Sequence, residues 1–181
     1  MADTPLAGLK LVTRAMRGDE RGFLSRLYCA DELAGAGFDR PIAQINQTLT
    51  RAPGLIRGMH FQHAPHAEDK FVSVLRGEVL DVAVDLRAGS PTFLRWHAER
   101  LSAENRRSFF IPRGFAHGFQ TLTADCELFY LHTCRYAPEA EGGLNPFDPR
   151  LAISWPLPAA DVSARDRNHP MLTVDFAGIT L

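Results

Sequence analysis

The fold is decided by the stretch Gly77-Glu78-Val79-Leu80-Asp81-Val82-Ala83-Val84-Asp85-Leu86. Its aliphatic side chains recur at every second position, at Leu80, Val82, Val84 and Leu86. A period of two predicts a β-strand, because successive side chains of a strand point to opposite faces of the sheet. We therefore expect a half-buried strand, with these four side chains on the buried face.

Similar runs of aromatic and β-branched residues, each bounded by turn residues, surround this strand. They are Phe71–Leu75, Ser108–Ile111 and Glu127–Thr133. Helical patterns are few and short, at Asp31–Ala34 and Asp161–Arg167. Many short strands with little helix predict an all-β sandwich or small barrel, and a barrel of this size can hold a ligand at its mouth.

The composition indicates an ordinary globular chain. Of 181 residues, 45% are hydrophobic and 23% are charged, and the formal net charge is −1. We expect one domain spanning residues 1–181, and the charge balance predicts neither a nucleic-acid partner nor a membrane surface. Residues 1–21 lack the pattern of a secretory signal, no apolar run has membrane-spanning length, and the three cysteines have no paired spacing. These features predict a cytoplasmic protein.

A Pro-x-Gly-x-x-His motif occurs at residues 112–117 and ends in His117. It resembles the second motif of the cupins, in which proline and glycine form a turn and the histidine returns into a β-barrel. A histidine-rich segment, residues 60–66, precedes it in the chain. The two together raise the question of a metal site.

One interpretation is a metal-dependent cupin enzyme with His60, His63, Glu68 and His117 as ligands, since imidazole and carboxylate groups bind Zn, Fe, Mn or Ni. The spacing of the first two argues against this set, because residues three apart on a strand point to opposite faces. A loop at this place would restore the geometry. The other alternative places His63 and His66 on a solvated loop.

Five motifs in the same order connect the chain to one family. They are residues 57–62 (Arg-Gly-Met-His-Phe-Gln), 77–93, 111–119, 136–139, and 148–149 with 153–156. Together they are similar to the motifs of the dTDP-4-dehydrorhamnose 3,5-epimerase family, from about Arg21 to about Pro170. The resemblance implies a cupin-type jelly-roll β-barrel with a few short peripheral helices.

The resemblance also implies an activity, the epimerisation of a nucleotide-diphosphate 4-keto-6-deoxy sugar. The ketone acidifies the C–H bonds at C3 and C5, so a base can remove a proton there, form an enolate and allow reprotonation on the opposite face. Such a reaction needs a base, a group that stabilises the enolate, and an acid across the ring. It implies no metal or redox cofactor.

The family motifs assign roles to individual residues. His60 matches the base, and an imidazole suits this task because it titrates near neutrality. Asp166 matches the carboxylate that orients this imidazole, Lys70 the cation near the enolate oxygen, and Tyr130 the acid. The residues implied in binding the nucleotide sugar are Arg21, Phe23, Gln44, Asn46, Arg57, His117, Tyr136, Glu141 and Arg165.

The chain departs from the family pattern mainly at the nucleotide end. Arg26 stands where a glutamate is usual, Ile45 replaces an aspartate, Leu131 replaces a lysine, and residues 145–147 replace an Arg-Trp-Asn-like run. The nucleotide therefore stays open between dTDP, CDP, GDP and UDP, as does the choice between C3, C5 or both.

Two further expectations concern the assembly and the type of protein. The resemblance implies a homodimer that exchanges N-terminal strands, so that Arg21 reaches the partner's site. A non-catalytic module that binds sugar nucleotides is the remaining alternative. The joint presence of His60, Lys70, Tyr130 and Asp166 argues against such a module.

Overall fold

The computed structural model describes residues 1–181 and consists mainly of β-strands. The strands are β1 (Ala2–Asp3), β2 (Lys10–Thr13), β3 (Met16–Asp19), β4 (Gly22–Ser25), β5 (Gln44–Thr50), β6 (Leu55–Gln62), β7 (Lys70–Arg76), β8 (Glu78–Asp85), β9 (Trp96–Ser102), β10 (Arg107–Ile111), β11 (Phe115–Thr121), β12 (Cys126–His132), β13 (Glu141–Gly143) and β14 (Asp161–Val162). The α-helices are α1 (Ala30–Ala34) and α2 (Ala164–Arg167), and a 3-10 turn covers Pro138–Ala140. The predicted all-β class with short helices is confirmed. Neither helix is long and apolar enough to cross a membrane.

The strands form two sheets and a separate hairpin. The first sheet has the order β1-β2-β10-β7-β12-β5, and the second has the order β13-β6-β11-β8-β9. Neighbouring strands along both orders are antiparallel, whereas β14 adds to β6 in parallel. Strands β3 and β4 pair only with each other.

The interior between the two sheets is hydrophobic over much of its length. Its largest cluster combines side chains of both sheets, among them Val72, Phe109 and Leu128 from the first sheet and Ala83 and Phe119 from the second. Burial of such side chains provides the main stabilisation of the fold. Tyr130 is the one member of this cluster that carries a hydroxyl group, and it borders the cavity described below.

The prediction of a half-buried strand at β8 is wrong, because both of its faces are buried. Val79 and Ala83 face the interior cluster. Val82, Val84 and Leu86 face the other way and pack with residues of the C-terminal third: Leu144, Leu151, Leu172 and Ile179. This covering segment has no regular hydrophobic period of its own, so nothing in the sequence predicted that it covers the second face of β8.

The outer face of the first sheet is covered by the segment that contains α1. Leu33 and Phe38 pack against Phe71, Phe110 and Leu131, and the rings of Phe38 and Phe110 meet edge to face at 5.8 Å. The predicted helix at residues 31–34 is confirmed as part of α1. At residues 161–167 only the last four are helical, because the first two form β14.

Candidate active site

A cavity of about 650 Å³ opens at one end of the space between the sheets. Strands β5, β6, β7, β11 and β12 contribute to its wall, together with β14 and α2. It is lined by Asn46, Thr48, Leu55, Ile56, Arg57, His60, Lys70, His117, Gly118, Phe119, Tyr130, His132, Tyr136, Glu141, Asp161, Ser163, Arg165 and Asp166. Ten of the thirteen site residues predicted from the sequence are in this lining.

The closest polar pair in the cavity joins residues 106 positions apart. Nε2 of His60 on β6 lies 2.7 Å from Oδ1 of Asp166 in α2. The approach depends on β14, which pairs in parallel with β6 through Val162 and Ile56. Ser163 then caps α2 by accepting a hydrogen bond from the Asp166 backbone N–H at 3.0 Å. The short helix thereby aims the carboxylate at the imidazole.

A close approach of Gly58 and Gly118 places a backbone donor beside the His60–Asp166 pair. A Cβ atom on Gly58, whose φ is +120°, would lie 2.5 Å from the Cα of Gly118, so only glycine fits here. The register of β6 and β11 shifts next to this contact. The backbone N–H of Gly58 is free to donate to Oδ2 of Asp166 at 3.1 Å.

Asp166 stays ionised although its side chain is almost fully buried. Burial alone would raise the pKa of its carboxyl group. The hydrogen bond and charge of His60, the Gly58 N–H and the charge of Arg165 outweigh burial and lower the pKa to about 2. Because an ionised carboxylate only accepts hydrogen bonds, Nε2 of His60 carries the proton, and Nδ1 is left with a lone pair.

The ammonium group of Lys70 lies at the start of β7 beside the same histidine. Its Nζ donates to the backbone oxygen of His60 at 3.3 Å and forms an ion pair with Oε1 of Glu68 at 3.2 Å. Both side chains of the ion pair are only 9% exposed. The cation is thereby held at the cavity wall in a poorly solvated place, where its field is strong.

Tyr130 on β12 is buried, with 8% of its surface exposed. Burial is the largest effect on its pKa and raises it, and the charge of Asp81 adds to this, whereas Thr48 and Arg57 act in the opposite direction. The net result is a pKa well above the usual value for tyrosine. The phenol therefore keeps its proton across the neutral and mildly alkaline range.

A second histidine–carboxylate pair lies on the neighbouring strands. His117 on β11 is directly opposite His60 in the register of the sheet. Its Nε2 lies 2.8 Å from Oδ1 of Asp81, and both side chains are buried. The ring of His117 meets that of Tyr130 edge to face, with centroids 6.1 Å apart.

The rim of the cavity is polar and more exposed. Arg165 donates to Glu141 at 3.2 Å, and its Nη2 lies 3.1 Å from Nε2 of His60. The hydroxyl of Tyr136 donates to Glu141 at 3.1 Å, which raises the pKa of this tyrosine. Arg57 is anchored by a hydrogen bond from its Nε to Thr50 at 3.0 Å.

Three predicted residues lie outside the lining. Gln44 is adjacent, since its side chain donates to Asn46 at 3.0 Å. Arg21 and Phe23 belong to the β3–β4 hairpin and line a separate shallow depression there. Phe23 is 71% exposed, and Arg21 forms an ion pair with Asp19. A single chain therefore does not bring these two residues to the cavity.

Comparison with known proteins identifies the family. A family model described as dTDP-4-dehydrorhamnose 3,5-epimerase matches residues 3–173. A relative of that name from Streptomyces griseus is 43% identical over 160 residues, which are 87% of this chain and 78% of the relative. The chain belongs to the dTDP-4-dehydrorhamnose 3,5-epimerase family.

Two further comparisons support this family. A dTDP-4-dehydrorhamnose 3-epimerase from Streptomyces niveus is 38% identical over 92% of this chain and 81% of its own length. A crystal structure of a 3,5-epimerase from Legionella pneumophila, in complex with dTDP-4-keto-L-rhamnose, superposes with a TM-score of 0.91. It is 38% identical, and the match covers 99% of this chain and 97% of that one. The predictions of a cupin-type fold and of a nucleotide-sugar epimerase are therefore confirmed.

The alternative metal-ligand set is not brought together in this epimerase. His63 is exposed beyond the end of β6, Glu68 binds Lys70 and His132, and Nε2 of His117 is directed at Asp81. The prediction of a loop at residues 63 and 66 is confirmed. A different trio, His60, Asp166 and His169, has donor atoms within 4.8 Å of one another.

Two residues of the site were missed by sequence reasoning. His132 lines the cavity beside Tyr130, with the two rings stacked at 6.0 Å. Its position two residues after Tyr130 on a strand was a signal that could have revealed it. His169 lies behind the His60–Asp166 pair, at 3.9 Å from Asp166. Burial, followed by the charge of His60, lowers the pKa of His169, and no sequence pattern pointed to it.

Proposed function

We propose that this chain inverts C3, C5 or both in a 4-keto-6-deoxy sugar linked to dTDP, through an enolate and without a metal or redox cofactor. The observation that carries the proposal is the convergence of His60, Lys70, His117, Tyr130 and Asp166 on one cavity. A base with its orienting carboxylate, a cation for the enolate oxygen, a histidine that can hold the sugar and a protonated acid are thereby available to one sugar ring.

The first step is proton removal by His60. With Nε2–H directed at Asp166, Nδ1 is the basic nitrogen that takes the proton from the carbon next to the ketone. The imidazolium that forms is balanced by the carboxylate of Asp166, which stays ionised. The electron pair of the C–H bond moves to the ketone oxygen.

The enolate oxygen is stabilised by Lys70, whereas His117 holds the sugar ring in place. The ammonium of Lys70 is largely buried, so its interaction with a developing negative charge is stronger than it would be in water. This stabilisation lowers the barrier because it is greater for the enolate than for the ketone.

Tyr130 then gives a proton to the opposite face of the enolate carbon. Its raised pKa keeps the phenol protonated before the reaction. After the transfer, His60 holds the substrate proton and Tyr130 is a phenolate. Proton transfer through solvent restores both groups, and the hydrogen at the inverted carbon comes from Tyr130.

The nucleotide diphosphate lies at the polar rim. Arg57, Gln44 and Asn46 offer donors to the phosphate oxygens, and Tyr136 offers a stacking surface at the rim. Glu141 and Arg165 hold each other at the entrance. The relatives are named as dTDP-sugar enzymes, and one neighbour holds dTDP-4-keto-L-rhamnose, which supports dTDP over the other nucleotides.

Two chains form the working enzyme in this proposal. Arg21 and Phe23 are exposed on a hairpin that has no partner within the chain, and strand exchange would take them to the other subunit's rim. Sedimentation at micromolar concentration tests the dimer, and a stable, active monomer would contradict it. We also retain one domain over residues 1–181 and a cytoplasmic location, on the grounds of composition.

The test is hydrogen exchange observed by NMR in deuterated water with dTDP-4-keto-6-deoxyglucose. Loss of the C3 and C5 signals identifies a 3,5-epimerase, and loss of one signal identifies a single-site epimerase. If neither signal is lost, the CDP-, GDP- and UDP-linked analogues are tested. Failure with all of them refutes the proposal in favour of a binding module, and activity that a chelator abolishes favours a metal enzyme.

A further inference from the structure

A continuous row of side-chain contacts joins the rim of the cavity to its floor, and two of its members, His132 and Glu68, have no role in the proposed mechanism. At the rim, the backbone N–H of Tyr136 donates to Oε1 of Gln44 at 3.1 Å. Nε2 of Gln44 donates to Oδ1 of Asn46 at 3.0 Å. Nδ2 of Asn46 lies 3.4 Å from Nε2 of His132.

The row continues from His132 to the floor. Nδ1 of His132 lies 2.8 Å from Oε2 of Glu68. The other oxygen of this carboxylate is 3.2 Å from Nζ of Lys70, and Nζ donates to the backbone oxygen of His60. The strand register favours this arrangement, because His132 and Lys70 are directly opposite each other on β12 and β7.

Only one assignment of donors satisfies every contact. The backbone N–H of Tyr136 can only donate, so the amide oxygen of Gln44 faces it and the amide nitrogen faces Asn46. The nitrogen of Asn46 then donates to Nε2 of His132. An ionised Glu68 only accepts, so Nδ1 of His132 carries the proton. The contacts therefore fix one neutral tautomer of His132.

The inner half of the row is shielded from water. The side chains of His132, Glu68 and Lys70 are 13%, 9% and 9% exposed, and the His132 ring stacks on Tyr130. Burial alone would raise the pKa of Glu68, but the charge of Lys70 and the hydrogen bond from His132 lower it. A buried carboxylate that loses one of two partners binds the other more closely.

We propose that His132 and Glu68 are positioning residues that hold the Lys70 ammonium at the enolate oxygen. The inference rests on the proposed function, since it uses the role of Lys70 given above. Without His132, Glu68 turns towards Lys70 and draws the ammonium away from the sugar. The loss of His132 therefore raises the energy of the transition state, where the enolate charge develops, and lowers kcat.

The test compares His132→Ala, His132→Asn, Glu68→Gln and the double variant His132→Ala/Glu68→Gln. We expect His132→Ala to lower kcat for exchange at the sugar carbons about 10-fold, which corresponds to about 1.4 kcal/mol in the barrier. The Kd of dTDP, measured by calorimetry, stays within about twofold of that of the parent chain, because His132 is not one of the proposed phosphate donors. His132→Asn recovers most of the rate, since its amide can still donate to Glu68.

The double variant tests whether the two residues act together. If they form one path, its loss in kcat is no larger than the greater of the two single losses. Additive losses would contradict the inference. So would a His132→Ala enzyme with the parent kcat, or one in which dTDP binding is lost while kcat is kept.

A matched control is available outside the cavity. His97 pairs with Glu99 at 3.1 Å on β9, and the two side chains are 22% and 23% exposed. His97→Ala is expected to keep the parent kcat. If the parent chain and His132→Ala exchange substrate hydrogens at the same rate, this inference alone is refuted. If the parent chain exchanges no substrate hydrogens, the proposed function is refuted.

Discussion

Two histidine–carboxylate pairs face the same cavity from neighbouring strands, yet their surroundings differ. The His60–Asp166 pair spans 2.7 Å, and its carboxylate also accepts from Gly58 and Arg165. His117 lies 2.8 Å from Asp81, whose second oxygen has no hydrogen-bond partner in the protein. The imidazole of His60 is 25% exposed, and that of His117 is 7% exposed.

The difference indicates which pair transfers protons. A base must reach the substrate and must gain a proton without a large electrostatic cost. The carboxylate of Asp166 accepts from several donors and can balance an imidazolium, whereas His117 and Asp81 are almost fully buried and one Asp81 oxygen has no donor. In the proposed function the same residue types therefore have two tasks, catalysis at His60 and placement of the sugar at His117. Four predictions test this division of labour.

The largest effect is expected for His60→Asn. The rate of epimerisation should fall on the order of 10³-fold, because a general base contributes 10²–10⁴-fold. The measurement is steady-state turnover at saturating substrate. His97→Asn is the control with the same substitution outside the cavity, and an equal loss in that control would point to misfolding instead.

Asp166→Asn should have the next largest effect. An amide at this place can present its NH₂ group to His60 and favour the wrong tautomer, so turnover should fall about 10²-fold with little change in dTDP affinity. Turnover and calorimetry on the same preparation measure this. Turnover within twofold of that of the parent chain would mean that His60 needs no orienting carboxylate.

His117→Asn should act mainly on substrate binding. Loss of one hydrogen bond to the sugar is expected to raise KM about 10-fold and to change kcat by less than about threefold. The measurement is a full substrate-dependence curve. A fall in kcat as large as that of His60→Asn would show that His117 also takes part in proton transfer, and would contradict the division of labour.

The smallest effect concerns stability in acid. The folded-state pKa of Asp166 is about 2, below the unfolded value of about 3.9. Its ionisation therefore stabilises the fold above about pH 4, and the contribution is lost as the pH falls towards 2. It is on the order of 1 kcal/mol once solvent screening is allowed for.

Urea unfolding of the parent chain and Asp166→Asn measures this contribution. The parent chain should lose more unfolding free energy than the variant between pH 6 and pH 2. Parallel pH profiles would show that the Asp166 carboxylate does not gain stability from its partners.

The strands could be predicted from the sequence because their signal is local. Alternation predicted β8, a run of aromatic and β-branched residues predicted β12, and residues 31–34 predicted the short helix α1. The burial of both faces of β8 could not be predicted, because the covering side chains of Leu144, Leu151 and Leu172 come from irregular backbone far along the chain. Tertiary packing decided that point.

The candidate site was predicted mostly through resemblance, and the physical reason lies in its geometry. His60 and Asp166 meet only because β14 adds to β6, and nothing in the spacing of the two residues indicates this. His132, in contrast, follows Tyr130 by two positions and shares its face of the strand. The side-chain period of two along β12 therefore predicts that His132 lies in the cavity with Tyr130.

Deuterium exchange at the sugar carbons in His60→Asn and His117→Asn, measured side by side at saturating substrate, tests the division of labour most directly. We predict that His117→Asn still exchanges the same C–H positions as the parent chain, whereas His60→Asn leaves them protonated over the same time. Exchange in His60→Asn at the parent rate, or its loss only in His117→Asn, would contradict the assignment of His60 as the base.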